Sequence, residues 1–174
     1  VYKRQDLFKG ELHPSVEAYG FWKLSSIIGA RVFHKERKLK TINLIFPSLY
    51  GPLDKFDPEN SHVISSLIAK FYYANKQKKK KIKLWGTGEP IREFIFIDDA
   101  VDVLMKFSLK YNSIDPINVG AGKGYKIKKI AGIISKIYNF KGDIIWDTNK
   151  PDGQKQKILD NSKLKKISTW RPKT

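Results

Sequence analysis

The order of the predicted elements indicates an α/β protein with a largely parallel sheet. Helical and strand-like segments alternate along most of the chain, which is the pattern of βα units. The helical segments 16–40 and 126–140 carry apolar residues three and four positions apart. The strand-like segments, such as 41–46 and 143–147, are short, apolar and rich in β-branched residues, as is typical of buried parallel strands.

The individual elements follow from the same spacing and from local end signals. Basic residues close the helix predicted over 16–40 and suit the negative end of its dipole, and a Pro-, Gly- and Asn-rich loop is expected over 47–60. Asp98 and Asp99 are interpreted as caps at the start of a helix. The other predicted elements are a helix over 62–74, strands over 82–85 and 93–97, a helix over 100–111, a strand over 117–119, a helix over 126–140 and a strand over 143–147.

Composition excludes several classes of protein. The chain has 174 residues, 41% of them hydrophobic, and no cysteine, so disulfides and thiolate metal sites are absent. His13, His34 and His62 show no metal-ligand spacing, and we expect no metal site. There is no apolar run long enough for a membrane helix and no signal-peptide pattern, which favours a cytoplasmic protein without membrane contact. The two chain ends are interpreted as the borders of an internal or C-terminal fragment.

The net charge of +17 leaves a nucleic-acid-binding domain as an alternative. Against it, only five of the 34 basic residues are arginine, whose planar fork suits base and phosphate recognition. The run Lys78–Lys81 lies between a predicted helix and a predicted strand, where a solvated loop is expected. We therefore expect no nucleic-acid partner and interpret a phosphate-bearing ligand as the relevant anion.

The strongest chemical signal is a Tyr-x-x-x-Lys pattern on the first predicted helix. The spacing of four residues places Tyr19 and Lys23 on one helix face. An ammonium this close favours the phenolate form, and such a tyrosine can give a proton to a carbonyl oxygen as hydride reaches the carbon. The alternative is an ordinary helix face, since both residue types are common here.

An ordered series of motifs follows this pattern. It comprises Phe46-Pro47-Ser48-Leu49-Tyr50-Gly51-Pro52, Asn60-Ser61-His62, Trp85-Gly86-Thr87-Gly88, Arg92-Glu93-Phe94, Asn118-Val119-Gly120 and Lys150-Pro151-Asp152-Gly153. The series resembles the extended short-chain dehydrogenase/reductases that act on sugar nucleotides, and within them the GDP-L-fucose synthases. Another nucleotide-sugar epimerase, reductase or dehydratase stays open as an alternative. The resemblance implies a partial Rossmann-like sheet, with its N-terminal cofactor half missing, and a smaller α/β substrate-binding region.

The resemblance also implies an activity and its residues. The activity would be the NADPH-dependent 3,5-epimerisation and 4-reduction of GDP-4-keto-6-deoxy-D-mannose, which a fragment would not perform alone. Tyr19 would donate the proton at the C4 oxygen, Lys23 would assist it and hold the nicotinamide ribose, and His62 would be the acid of the epimerisations. The implied NADPH/NADP-binding residues are Lys23, Phe46, Pro47, Ser48, Leu49 and His62, where Ser48 replaces the family's frequent asparagine.

Four further positions match residues that hold the GDP-sugar in that family: Lys70, Trp85, Arg92 and Asp152. Lys70 and Arg92 can neutralise a diphosphate, Trp85 offers a flat apolar surface, and Asp152 can accept hydrogen bonds. Structural alternatives exist for three site residues. Trp85 could belong to the core, Arg92 could form a surface ion pair with Glu93, and His62 could simply lie in the first turn of a helix.

The resemblance further implies a division into domains and a dimer. Residues 1–60 would belong to the Rossmann-like cofactor domain and residues 61–174 mainly to the substrate region, with 93–119 returning to the Rossmann sheet. The helix over 16–40 resembles one that often forms a homodimer interface. The run Gly120-Ala121-Gly122-Lys123-Gly124 mimics a dinucleotide fingerprint, but its G-x-G-x-G spacing puts the third glycine one position too early to serve in helix packing, and we expect no cofactor there.

Overall fold

A computed structural model describes residue 12 and residues 16–111 and 113–174. His13 therefore lies outside the described residues, as does most of the segment before the first helix. The helices are α1 (Glu17–Arg37), α2 (Val63–Lys76), α3 (Ile97–Lys110), α4 (Ile127–Ile137) and α5 (Ser162–Ile167). The strands are β1 (Leu44–Ile45), β2 (Ser48–Tyr50), β3 (Lys81–Trp85), β4 (Ile91–Phe96), β5 (Ile117–Asn118), β6 (Gly124–Lys126), β7 (Asp143–Asp147) and β8 (Gln156–Lys157).

Most strand pairs are parallel, which confirms the predicted fold class. β1 pairs with β5, β2 with β4, β3 with β7, and β8 with the start of β4, all in parallel. β6 is the antiparallel exception and lies against residues 91–93 of β4. β4 is thus paired along its whole length, and this fixes the positions of the side chains at its beginning.

Two clusters of buried apolar residues hold these layers together. The first joins α2 and α4 to β3 and consists of Leu67, Phe71, Ala74, Ile82, Leu84, Ala131, Ile134 and Phe140. The second joins α3, β4, β5 and α5 and consists of Ile95, Val103, Phe107, Ile117, Val119, Leu164 and Trp170. In α2 the apolar residues at positions 67, 71 and 74 follow the helical period, so one face of the helix packs into the first cluster.

α1 differs from the other helices because none of its residues is buried. Its large apolar side chains, among them Phe21, Trp22 and Phe33, are exposed in this chain. Lys38 ends the helix in a left-handed conformation. Large exposed apolar side chains, where they adjoin one another, are typical of a surface that another chain or segment covers.

Several short elements were not predicted, and one interpretation was wrong. β2 lies in the expected loop, while β6, β8 and α5 have too few apolar residues to give a periodic signal. Asp98 and Asp99 lie in the first turn of α3, but no side chain caps that helix. The Asp99 carboxylate is buried and instead accepts the backbone N–H groups of Lys173 and Thr174, at 2.9 and 3.0 Å. It thereby fixes the end of the described chain to α3.

Candidate substrate pocket

A cavity of about 300 Å³ lies where α2, β3, β4 and the loop after β7 meet. The four residues predicted to hold a GDP-sugar, Lys70, Trp85, Arg92 and Asp152, all line it. They come from four separate parts of the chain, and the fold brings them together. Apolar side chains such as Leu67 and Trp146 line the rest of the wall. A largely apolar cavity with a few convergent charged groups is the usual form of a small-molecule site.

Trp85 ends β3, and two ammonium groups lie close to its indole ring. Its side chain is 52% exposed, so it does not belong to the core. Nζ of Lys70 lies 5.6 Å and Nζ of Lys150 5.3 Å from the ring centroid, both within cation–π range. The arrangement offers an apolar face for a flat ring and positive charge close beside it.

Lys70 is held in place by its position on α2. The residues that flank it in the helix, Leu67 and Phe71, pack into the core, and only 12% of the Lys70 side chain is exposed. Its ammonium forms an ion pair of 3.2 Å with Glu59, which also lines the cavity. Lys70 is therefore a nearly buried cation at the wall of the cavity, with a carboxylate as its partner.

Arg92 lies near the start of β4, and its guanidinium is oriented by backbone carbonyls. Nη1 donates to the oxygen of Ile91 at 2.9 Å, and Nη2 lies 3.4 Å from the oxygen of Asp152. The predicted alternative of a surface ion pair with Glu93 is wrong, because Glu93 is buried and bonded elsewhere. The guanidinium remains a lining group of the cavity.

Asp152 joins two loops of the cavity wall. Its Oδ1 accepts the backbone N–H of Thr87 at 2.7 Å, and its Oδ2 accepts the Thr87 hydroxyl at 2.6 Å. These hydrogen bonds, chiefly that from the hydroxyl, lower the pKa of the Asp152 carboxyl below its ordinary value. Gly86 has a positive φ of 70° and leaves the space that the carboxylate fills. Both oxygens are thus engaged within the protein, so the residue connects the turn after β3 to the loop after β7.

Glu93 follows Arg92 on β4 and is a buried carboxylate. It is 1% exposed, and it accepts the N–H of Gly122 at 2.5 Å and the N–H of Leu159 at 2.8 Å. Gly120 lies against the same carboxylate, with no room for a Cβ atom. The glycine-rich stretch 120–124 is therefore a partner of this buried acid, and Gly124 already begins β6.

The predicted catalytic pair lies outside this cavity. Nζ of Lys23 lies 5.3 Å from the centroid of the Tyr19 ring, so the two side chains share a helix face as predicted. The Tyr19 side chain is 66% exposed, and neither residue lines the cavity. His62 is the exposed N-terminal flanking residue of α2, between two lining residues, Ser61 and Val63.

The residues predicted to contact the nicotinamide follow β1. Phe46 packs against the second apolar cluster, and Pro47 is buried. Ser48 and Leu49 belong to β2, whose partner is the C-terminal half of β4. This segment lies at the carboxyl end of the parallel strand β1, which is where open α/β sheets bind their ligands.

Sequence reasoning missed four residues of this region. Lys150 and Thr87 stood inside quoted motifs without a role, and Glu93 was considered only as a surface partner. Glu59 gave no signal at all, because a glutamate in a polar loop is ordinary in sequence. Among the described residues, no group of three or more His, Asp and Glu side chains could hold a metal ion. No described helix is both long and apolar enough to cross a membrane.

A parallel α/β fold with a cavity lined by charged and aromatic side chains is typical of a protein that binds a small molecule. The chain belongs to the NAD dependent epimerase/dehydratase family, which matches it over residues 3–120.

Several named proteins are similar to it. It is 35% identical to the probable GDP-L-fucose synthase 1 of Oryza sativa subsp. japonica over 167 residues, which are 96% of this chain and 51% of that protein. It is 36% identical to the GDP-L-fucose synthase of Sinorhizobium fredii over 172 residues, 99% of this chain and 54% of that protein. The chain therefore spans about half the length of these relatives.

Solved structures show the same fold. A GDP-L-fucose synthetase from Naegleria fowleri bound to NADP superimposes with a TM-score of 0.91 at 28% identity, covering 98% of this chain and 56% of that one. A GDP-6-OMe-4-keto-L-xylo-heptose reductase from C. jejuni gives a TM-score of 0.91 at 26% identity, covering 99% and 61%.

Proposed function

We propose that this chain supplies the GDP-sugar pocket and the catalytic Tyr19–Lys23 pair of an enzyme that makes GDP-L-fucose. The reaction would be the NADPH-dependent 3,5-epimerisation and 4-reduction of GDP-4-keto-6-deoxy-D-mannose. The observation that carries the proposal is the convergence of Lys70, Trp85 and Arg92 on one cavity. Similarity to GDP-L-fucose synthases from a plant and a bacterium supports the same substrate class.

In this pocket the ligand's charge and its flat ring would be bound by different groups. The diphosphate carries negative charge that Lys70 and Arg92 can neutralise, and Arg92 can bind two oxygens at once. The exposed face of Trp85 can stack against an aromatic base. Asp152 would hold the Thr87 turn against the cavity, and the remaining lone pairs of its two oxygens could accept hydrogen bonds from the ligand.

The chemistry would be carried by residues near the start of α1 and at the start of α2. Tyr19 would give its phenolic proton to the C4 oxygen of the sugar, and the Lys23 ammonium would stabilise the phenolate that remains. His62 would protonate carbon during the epimerisations. Ser61 and Val63, the residues on either side of His62, line the cavity, which supports a role for His62 near the sugar.

The residues expected to hold NADPH fit that group in type. When bound, the cofactor would supply the hydride for the reduction at C4. Lys23 offers an ammonium for ribose hydroxyls, and residues 46–49 offer a partly apolar segment at the end of a parallel strand. Ser48 is small and its side chain would make a weaker contact there than the family's asparagine.

We also propose the domain division that the sequence suggested. Residues 1–60 and 93–119 would form part of the cofactor domain, and most of 61–174 the substrate region. The parallel pairing of β1 with β5 and of β2 with β4 supports it, because it joins these two stretches. The enzyme would be a cytoplasmic homodimer, and the exposed apolar side chains of α1 are consistent with an interface.

The test uses the protein as its gene encodes it, supplied with NADPH and GDP-4-keto-6-deoxy-D-mannose. We expect NADPH oxidation and a product identical to GDP-L-fucose by chromatography. Tyr19→Phe should reduce the rate by more than about 100-fold, the contribution usual for a positioned acid, while GDP binding stays unchanged. A wild-type rate in this variant would remove Tyr19 as the proton donor.

A second arm of the same test uses a GDP-4-keto-heptose. The heptose reductase from C. jejuni has an equally similar fold, so another GDP-sugar reductase is the alternative function. Faster turnover of the heptose than of the deoxyhexose would favour it. Absence of GDP binding by the wild-type protein would reject both.

A further inference from the structure

An acidic side chain lies inside a pocket suited to anions. Glu59 lines the cavity together with Lys70 and Arg92, and its carboxylate pairs with the Lys70 ammonium at 3.2 Å. The other lining carboxylate, Asp152, is bonded to Thr87 through both oxygens. Glu59 is therefore the acidic group in this wall that stands where the anionic part of a ligand would make its contact with Lys70.

The backbone that carries Glu59 is fixed. Oδ1 of Asp57 accepts the N–H groups of Glu59 and Asn60, at 2.8 and 2.7 Å. The Ser66 hydroxyl, on α2, donates to the oxygen of Pro58 at 2.6 Å. These bonds hold the loop against the first turns of α2, so that any change in the Glu59–Lys70 pair must come from the side chains.

Of the two side chains, that of Glu59 has more freedom to move. It is 59% exposed, whereas that of Lys70 is 12% exposed and lies beside the Trp85 ring. Rotation about the side-chain bonds of Glu59 would take its carboxylate into solvent at small cost. The same movement by Lys70 would have to displace packed neighbours.

We propose that Glu59 is an internal counter-anion: its carboxylate pairs with the Lys70 ammonium when no ligand is bound, and the diphosphate of the ligand displaces it from that ammonium. The inference rests on the proposed GDP-sugar site and adds to it a residue that controls specificity. A neutral nucleoside brings no charge to replace the carboxylate, so it leaves the pair intact. A diphosphate replaces one anion by a more highly charged one, and the released carboxylate becomes solvated.

The alternative is that Glu59 orients the Lys70 ammonium for the ligand. The two roles predict opposite changes in ligand affinity when the Glu59 carboxylate is removed. If the carboxylate competes with the ligand, its removal tightens binding. If it positions the ammonium, its removal loosens binding.

The experiment is a calorimetric titration of the protein as its gene encodes it with GDP, at low ionic strength. We expect Glu59→Gln to bind GDP about three- to fivefold more tightly, the factor that corresponds to losing a partly exposed ion pair. Binding of guanosine should not change. The matched control is Asp143→Asn, which also removes one negative charge. Asp143 is exposed at the start of β7, whereas the loop that follows the end of β7 lines the cavity, so we expect no change in GDP affinity.

A second background tests whether the effect passes through Lys70. In the Lys70→Gln variant there is no ammonium for which Glu59 and GDP could compete. Adding Glu59→Gln to this variant should therefore change GDP affinity by less than about 1.5-fold, because the effects of two interacting residues are not additive. Equal or weaker GDP binding by Glu59→Gln, or equal tightening in both backgrounds, would overturn the inference while leaving the GDP site intact. Absence of GDP binding by the wild-type protein would instead remove the proposed function itself.

Discussion

Replacement of Glu93 tests how much a buried carboxylate that accepts two backbone N–H groups contributes to the stability of the fold. The residue is 1% exposed, and its two oxygens accept the N–H groups of Gly122 and Leu159. Glu93→Ala leaves both donors without this acceptor, but only Leu159 is buried, whereas Gly122 is exposed and its N–H can bind water instead. A buried donor left unsatisfied costs about 1–3 kcal/mol and the loss of the other bond about 0.5–1.5 kcal/mol, so the free energy of unfolding should fall by roughly 1.5–4.5 kcal/mol.

Glu93→Gln should cost less. The amide oxygen can still accept one N–H, but the amide nitrogen then faces the other donor. One bond is lost in place of two, which corresponds to about 1–3 kcal/mol. The order of stability is therefore expected to be wild type, then Glu93→Gln, then Glu93→Ala.

The assay is urea unfolding followed by tryptophan fluorescence, with the protein as its gene encodes it. Asp143→Asn is the control, because it removes an exposed carboxylate at the start of β7 and should change the unfolding midpoint little. The reasoning is refuted if Glu93→Ala loses less than about 1 kcal/mol, since a buried acceptor of two backbone donors cannot be removed so cheaply.

Two further predictions concern the loops of the pocket. Lys126 and Lys128 donate hydrogen bonds to the Glu89 carboxylate and lower its pKa to about 2. This pairing stabilises the fold fully above about pH 4.5, where the carboxyl is ionised in the unfolded chain too, and the stabilisation is lost as the pH falls through about 2. The difference in urea midpoint between wild type and Glu89→Gln should therefore shrink over that interval, and a constant difference would contradict the assignment. Thr87→Val removes the hydroxyl that binds Asp152 but keeps the backbone bond, so it should weaken GDP binding in the same direction as Asp152→Asn and by less. Unchanged GDP affinity in Thr87→Val, beside a loss in Asp152→Asn, would show that Asp152 contacts the ligand directly.

The sequence predicted the bounds of an element best where the spacing of its apolar residues matches the face that packs into the core. The bounds of β7 were predicted to the residue, and those of α2 to within two, because their apolar positions face the core. β6 and β8 could not be found in this way. Their residues are polar or glycine, and they become strands only because β4 offers them a partner.

For the pocket, the sequence indicated which residues line the cavity but not how their side chains are bonded. Lys70, Trp85, Arg92 and Asp152 stand in motifs with a fixed order, and the fold brings them to one cavity. The motifs carry no information about which partner each side chain takes. Nothing in the sequence indicates that Asp152 is bonded to Thr87, or that Glu59 is paired with Lys70, because both contacts depend on loops that approach one another only after folding.

The bonds between Asp152 and Thr87 have a consequence for any attempt to exchange pieces between relatives. The turn after β3 and the loop after β7 are 65 positions apart in the chain, yet each is shaped by the other. A chimera that takes only one of these loops from a relative can leave Thr87 without the Asp152 carboxylate, or Asp152 without the Thr87 hydroxyl. Chimeras that exchange this part of the cavity wall should therefore transplant residues 86–88 and 150–153 as a single unit.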